Sequence, residues 1–80
     1  MKFNSDVKRR KLFKLLKRLN KIYTLTYFEG KKHTKITCVH NGKITLLPRH
    51  STIKKETANE IIDQLKEMGF TDEELENYFK

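Results

Sequence analysis

His33-Thr34-Lys35-Ile36-Thr37-Cys38-Val39-His40-Asn41-Gly42-Lys43-Ile44-Thr45-Leu46-Leu47-Pro48 is the run on which the fold turns. Its first half alternates, with Thr34, Ile36 and Cys38 on one face and His33, Lys35, Thr37 and Val39 on the other, the period of a half-buried strand. Asn41-Gly42 then offers two residues that tolerate positive φ, the usual content of a tight hairpin turn. Lys43 to Leu47 returns as the next strand, and Pro48, with no N–H to donate, stops it. Upstream, Ile22-Tyr23-Thr24-Leu25-Thr26-Tyr27-Phe28 is dense in β-branched and aromatic residues and runs into Glu29-Gly30, so a strand precedes the pair. Three consecutive strands on short links make an antiparallel sheet.

Helices flank the strands on both sides. Leu12, Leu15, Leu16 and Leu19 recur at i, i+3, i+4 and i+7, one stripe of a helix placed over about residues 6–20, with Val7 and Phe13 beside it and Ser5 or Asp6 as its cap. Thr57, Ile61, Leu65 and Met68 keep the same spacing, with Ile62 alongside and Gly69 as a natural stop. Thr71-x-x-Glu74 reads as a capping box that opens a short last helix containing Leu75, Tyr78 and Phe79. The expected class is therefore α+β, in the order α-β-β-β-α plus a C-terminal helical turn or two, with both main helices on one face of the sheet. Double-stranded-RNA-binding domains use that topology, although a fold by itself does not assign a function.

Eighty residues permit a single domain over residues 1–80, with a small core that buries only about 60% of the unfolded surface. A large cofactor-binding enzyme does not fit this length, and no cofactor is expected. The lone Cys38 excludes an internal disulfide and a cysteine-based zinc site, and is read as a core residue. Neither a metal-binding histidine pair at helical spacing nor a carboxylate triplet is present, so no metal is expected. With no apolar run of membrane-spanning length and no signal-peptide pattern, the expected location is the cytoplasm and no membrane partner is expected.

Charge is the strongest functional signal. Residues 1–55 hold 16 Lys/Arg against 2 Asp/Glu, whereas residues 56–80 hold 2 against 8. Such an imbalance points to a polyanion for the basic part, with nucleic acid or a membrane surface as the usual candidates. Lys8, Arg9, Lys11, Lys14, Lys17 and Arg18 cover most of the first helix outside its leucine stripe; lysines there attract phosphate without reading sequence. An alternative for this segment, a basic helix lying on a membrane surface, competes poorly because so small a domain needs the stripe for its core.

His33 stands out among the three histidines. It follows Gly30-Lys31-Lys32 and shares a strand face with Lys35. Ammonium groups disfavour an imidazolium beside them and a bound phosphate favours it, so an imidazole in such surroundings is suited to proton transfer. RNA cleavage by the 2′-hydroxyl needs that and no metal: a group to take the hydroxyl proton or to protonate the leaving 5′-oxygen. Lysine and arginine offset charge growing on the phosphorane oxygens. The plainer readings are structural ones. Tyr23, Tyr27 and Phe28 are strand aromatics of the core, also able to stack on bases, and His40 is an exposed hairpin residue.

Gly30-Lys31-Lys32-His33-Thr34-Lys35-Ile36, Asn41-Gly42-Lys43-Ile44-Thr45-Leu46-Leu47-Pro48-Arg49-His50, Ile53-Lys54-Lys55-Glu56-Thr57 and Ile61-Ile62-x-x-Leu65-x-x-Met68-Gly69, in that order, resemble the HicA family of toxins. These are small mRNA interferases of toxin–antitoxin pairs with a double-stranded-RNA-binding-domain-like fold. The likeness covers about residues 8–70. It implies that His33 is the catalytic residue and that Pro48 and His50 shape the loop before the second main helix, with His50 an auxiliary candidate. It also implies a HicB-like antitoxin protein as partner. The chain departs from the family pattern at Lys32, where a small residue is usual, at the extra residue between Gly30 and His33, and at Glu56 in place of glycine. The expected function is thus that of a metal-independent endoribonuclease acting on mRNA, with Lys31, Lys32, Lys35, Arg49, Lys14 and Lys17 binding RNA. The alternative is a non-catalytic RNA-binding module of the same fold.

Overall fold

In the computed structural model, which describes all of Met1–Lys80, the leucine stripe is buried whole: Leu12, Leu15, Leu16 and Leu19 lie on one side of helix α1 (Arg9–Leu19). The helix begins three residues later than its periodicity suggests. Val7 and Lys8 form a short strand, β1 (Val7–Lys8), paired antiparallel with β5 (Thr52–Ile53), so the extended backbone needed for that pairing ends where helix starts. Asp6 therefore does not cap α1. Its Oδ1 accepts the backbone N–H of Lys55 at 3.0 Å and serves the first turn of the other main helix, α2 (Lys55–Glu67).

Strands β2 (Leu25–Glu29), β3 (His33–Cys38) and β4 (Ile44–Pro48) form one antiparallel sheet with β3 in the middle. β2 starts at Leu25 rather than Ile22, because the chain first completes a turn off the end of α1. Ile22 N donates to Leu19 O at 2.9 Å, and Asn20 Oδ1 accepts the Leu25 N–H at 2.7 Å. The link from β3 to β4 also differs from a two-residue turn. Cys38 N donates to Lys43 O at 2.8 Å and Gly42 N to Cys38 O at 2.7 Å, leaving Val39–Gly42 as a four-residue loop in which only Gly42 has positive φ, +75°. Asn41 is held instead by its side chain, whose Nδ2 donates to Met68 O at 2.9 Å. His40 stacks on Tyr23, ring centroids 4.9 Å apart.

One face of the sheet is covered. Leu25, Thr34, Ile36, Cys38, Thr45 and Leu47 are buried there against α1 and α2. Ala58, Ile61, Ile62, Leu65 and Met68 form the inner side of α2. That helix ends in a Schellman motif: Phe70 N bonds Leu65 O, Gly69 N bonds Lys66 O, and Gly69 takes φ +114°. Thr71 and Glu74 form the expected capping box of α3 (Asp72–Phe79), in which each side chain accepts the other residue's N–H. α3 lies against α1 and buries Leu75. The N-terminal residues pack on this side too, Asn59 bonding the Phe3 backbone through both ends of its amide. No helix is long and apolar enough to cross a membrane.

Candidate active site at the His33 cleft

Strand alternation sends His33, Lys35 and Thr37 to the uncovered face of the sheet, and His33 is exposed at its end. Two connections meet beside it. The β2–β3 link turns over Lys31-Lys32 with Gly30 and His33 opposed, Gly30 N donating to His33 O at 2.9 Å. A Cβ at residue 30 would stand 3.0 Å from that carbonyl, so the approach needs glycine. The β4–β5 loop carries Arg49 and His50, and Pro48 pairs with His33 across the sheet. Lys31, Lys32, His33, Pro48, Arg49 and His50 line one cleft of about 450 Å³, with no acidic residue in its wall. His33 also borders a second cleft of about 230 Å³ shared with Thr57, Glu60 and Gln64.

Five of the residues singled out in the sequence are therefore brought together: Lys31, Lys32, His33, Arg49 and His50. Lys35 stands two residues along β3 from His33 on the same face. Lys14 and Lys17 are not part of this cleft. They are exposed on α1, in the layer behind the sheet, where Lys14 lines a separate shallow surface with Lys11 and Arg18, and Lys17 Nζ lies 5.0 Å from the centre of the Phe13 ring.

A hydrogen-bonded chain behind the cleft fixes both of its walls. Arg9 is not one of the outward cations of α1. Its Nε donates to Pro48 O at 2.9 Å, its Nη2 donates to Thr34 Oγ1 at 2.7 Å, and its backbone N–H donates to Ser51 O at 2.9 Å. Thr34 is fully buried and donates onward to Glu29 Oε1 at 2.6 Å. Arg49 reaches the same carboxylate oxygen with Nη2 at 2.6 Å, donates from Nε to Gly30 O at 2.8 Å, and from its backbone to Lys32 O at 3.1 Å. Arg49 is thus first a clamp between the two loops, with part of its guanidinium edge left to face the cleft.

Arg9, Thr34 and Glu29 were not singled out by sequence reasoning. Glu29 did carry a signal, as one of only two acids in residues 1–55. Both of those acids have structural partners, Asp6 at Lys55 and Glu29 at Thr34 and Arg49. No group of three or more histidine, cysteine, aspartate or glutamate side chains converges anywhere in the chain. Chemically, the cleft offers two imidazoles for proton transfer, with two ammonium groups and a guanidinium beside them that can face a phosphate.

Comparison with protein-family models, curated proteins and solved structures finds no match for this chain.

Proposed function

We propose that the protein is the toxin of a HicA-type toxin–antitoxin pair, a double-stranded-RNA-binding-domain-like fold that acts as an mRNA interferase in the cytoplasm. One observation carries the reading: an exposed imidazole, His33, at the edge of a cleft walled by Lys31, Lys32 and Arg49, with a second imidazole, His50, on the same cleft. The order and spacing of the Gly30–Ile36, Asn41–His50 and Ile61–Gly69 segments support the family, and the helix–strand–strand–strand–helix order supports the fold type.

In this reading a phosphodiester of single-stranded RNA lies against Lys31, Lys32 and the free edge of Arg49. His33 takes the proton of the 2′-hydroxyl, and O2′ forms a bond to phosphorus as the bond from phosphorus to O5′ breaks. The leaving O5′ receives a proton from His50 as the auxiliary group, so the products are a 2′,3′-cyclic phosphate and a 5′-hydroxyl. The lysines stabilise the charge that builds on the non-bridging oxygens. Lys14 and Lys17 raise the local concentration of RNA around the domain. A HicB-like antitoxin is the partner that would keep this surface covered until RNA cleavage is released.

Lys32 favours the second reading, a non-catalytic RNA-binding module, because this long cation lines the cleft beside His33 where a small residue would leave more room. One assay separates them: purified wild type and His33→Ala are incubated with unstructured RNA, and the products are tested for cyclic-phosphate ends. The interferase reading expects cleavage by wild type and none by His33→Ala at unchanged melting temperature. Cleavage by the variant at the parental rate overturns it, and RNA bound but uncut by wild type assigns the module.

A further inference from the structure

The open face of the sheet carries an aromatic residue that nothing in the core uses. Phe28 is 70% exposed on β2, although its neighbour Tyr27 turns inward to pack near Phe13. In register, Phe28 lies opposite Lys35, and Lys35 lies opposite Leu46 on β4. The next row towards the cleft holds His33 and Pro48, and their neighbour on β2 is Gly30, which has no side chain. Nothing on β2 therefore rises between the Phe28 ring and the imidazole, which hold diagonal cross-strand positions, where residues lie about 7–8 Å apart and their Cβ atoms somewhat closer.

We infer that Phe28 is a stacking platform for a base of single-stranded RNA held at the His33 cleft, an inference that rests on the RNA reading above. Charge selects this occupant. The outward side chains of the three strands include Thr26, Phe28, His33, Lys35, Ile44 and Leu46, with no acid among them, and Glu29 points the other way to Thr34. Burying Lys35 under an apolar protein surface would strand its ammonium group. A nucleotide satisfies both features, because its phosphate pairs with Lys35 while its base covers the ring. Stacking on an exposed aromatic of a sheet is tolerant of sequence, since every base presents a π-face. Phe28 would then set where along the strand the scissile linkage comes to rest against His33.

The chain has no tryptophan, so Phe28→Trp installs a single fluorescent reporter at the site. A short oligo-uridine strand should quench that emission, and an abasic ribose-phosphate strand of equal length should not. Phe28→Leu, which keeps an apolar side chain at an exposed position, should weaken oligo-uridine binding by about 5- to 150-fold. Equal binding by wild type and Phe28→Leu, with no quenching, overturns the platform and leaves the RNA reading standing. No binding by wild type overturns both. A dimer in solution that Phe28→Asp dissociates, with RNA affinity unchanged, assigns the face to a second copy of the chain and overturns the platform.

Discussion

Arg9 Nη2 donates to Thr34 Oγ1 at 2.7 Å, joining the first turn of α1 to the middle strand one residue past His33. The same guanidinium holds Pro48 O, so one side chain fixes the strand that bears one imidazole and the loop that bears the other. Arg9→Ala should lower stability by about 2 kcal/mol, since charged hydrogen bonds in a partly buried site are lost together. RNA cleavage should fall by on the order of 10- to 100-fold beyond the loss of folded protein, because both walls of the cleft loosen. Arg9→Lys should not restore it, as an ammonium cannot span Pro48 O and Thr34 Oγ1. Urea titration and initial cleavage rates test the two parts. Parental values in both would remove the network from positioning.

Lys14 and Lys17 stand behind the sheet, so the RNA attraction proposed for them is separable from that proposed for the cleft. Neutralising both as Lys14→Gln and Lys17→Gln should reduce RNA affinity at low salt and flatten the dependence of binding on salt, as fewer counterions are released. The rate of cleavage at saturating RNA should hold. Binding measured across a salt series, alongside single-turnover cleavage, decides it. A fall in the saturated rate would place these lysines in contact with the reacting strand.

Much of this architecture was readable from periodicity, and the exceptions share a cause. The leucines of α1, the alternation of His33 to Cys38 and the Thr71–Glu74 capping box depend on near neighbours, and all three stand as expected. Features that depend on distant partners did not. Asp6 finds Lys55, 49 residues away, and so leaves its own helix uncapped. Asn41 bonds Met68 O, which helps hold it out of the left-handed turn that Asn-Gly suggests. The cleft followed the same division. His33 and its lysines were legible because they are adjacent in sequence, whereas Arg9 looked like one more cation of a basic helix until Thr34 and Pro48 met it. Phe28 was legible as a strand residue but not as an exposed one, since a start at Leu25 and the pairing with Lys35 determine its face.

Gly69 has two reasons to be glycine, and they can be told apart from Gly42. Its φ of +114° lies where L side chains are strained, and an added Cβ would stand 3.3 Å from Tyr23 Cε2. Gly42, at φ +75°, has nothing within 4 Å of the same added atom. Gly69→Ala should therefore cost about 2 kcal/mol or more, and Gly42→Ala about 1 kcal/mol, the conformational part alone. In a domain of this size the first corresponds to a fall of on the order of 10 °C in melting temperature. Because Tyr23 stacks on His40 and packs near Phe70, Gly69→Ala should also shift the His40 ring signals in proton NMR. Equal melting temperatures for the two variants would mean that Tyr23 yields without cost.

The Tyr27 hydroxyl is buried with no hydrogen-bond partner, the one such side-chain atom in the chain. Burial pushes the phenol pKa above its ordinary value of 10.0. Below pH 10 the phenol is protonated in folded and unfolded chains alike, and it adds no pH dependence. As pH rises past 10 the unfolded chain gives up this proton first, so the folded state loses stability until its own, higher value is reached. Tyr27→Phe removes the desolvated oxygen and keeps the ring against Phe13. It should raise stability near neutral pH by about 1 kcal/mol, the desolvation cost of an unpaired hydroxyl. It should also flatten the stability profile above pH 10. Urea midpoints for both proteins from neutral pH upward measure the two effects. A variant less stable than wild type, or a profile of parental slope, would show that the hydroxyl finds a partner in solution.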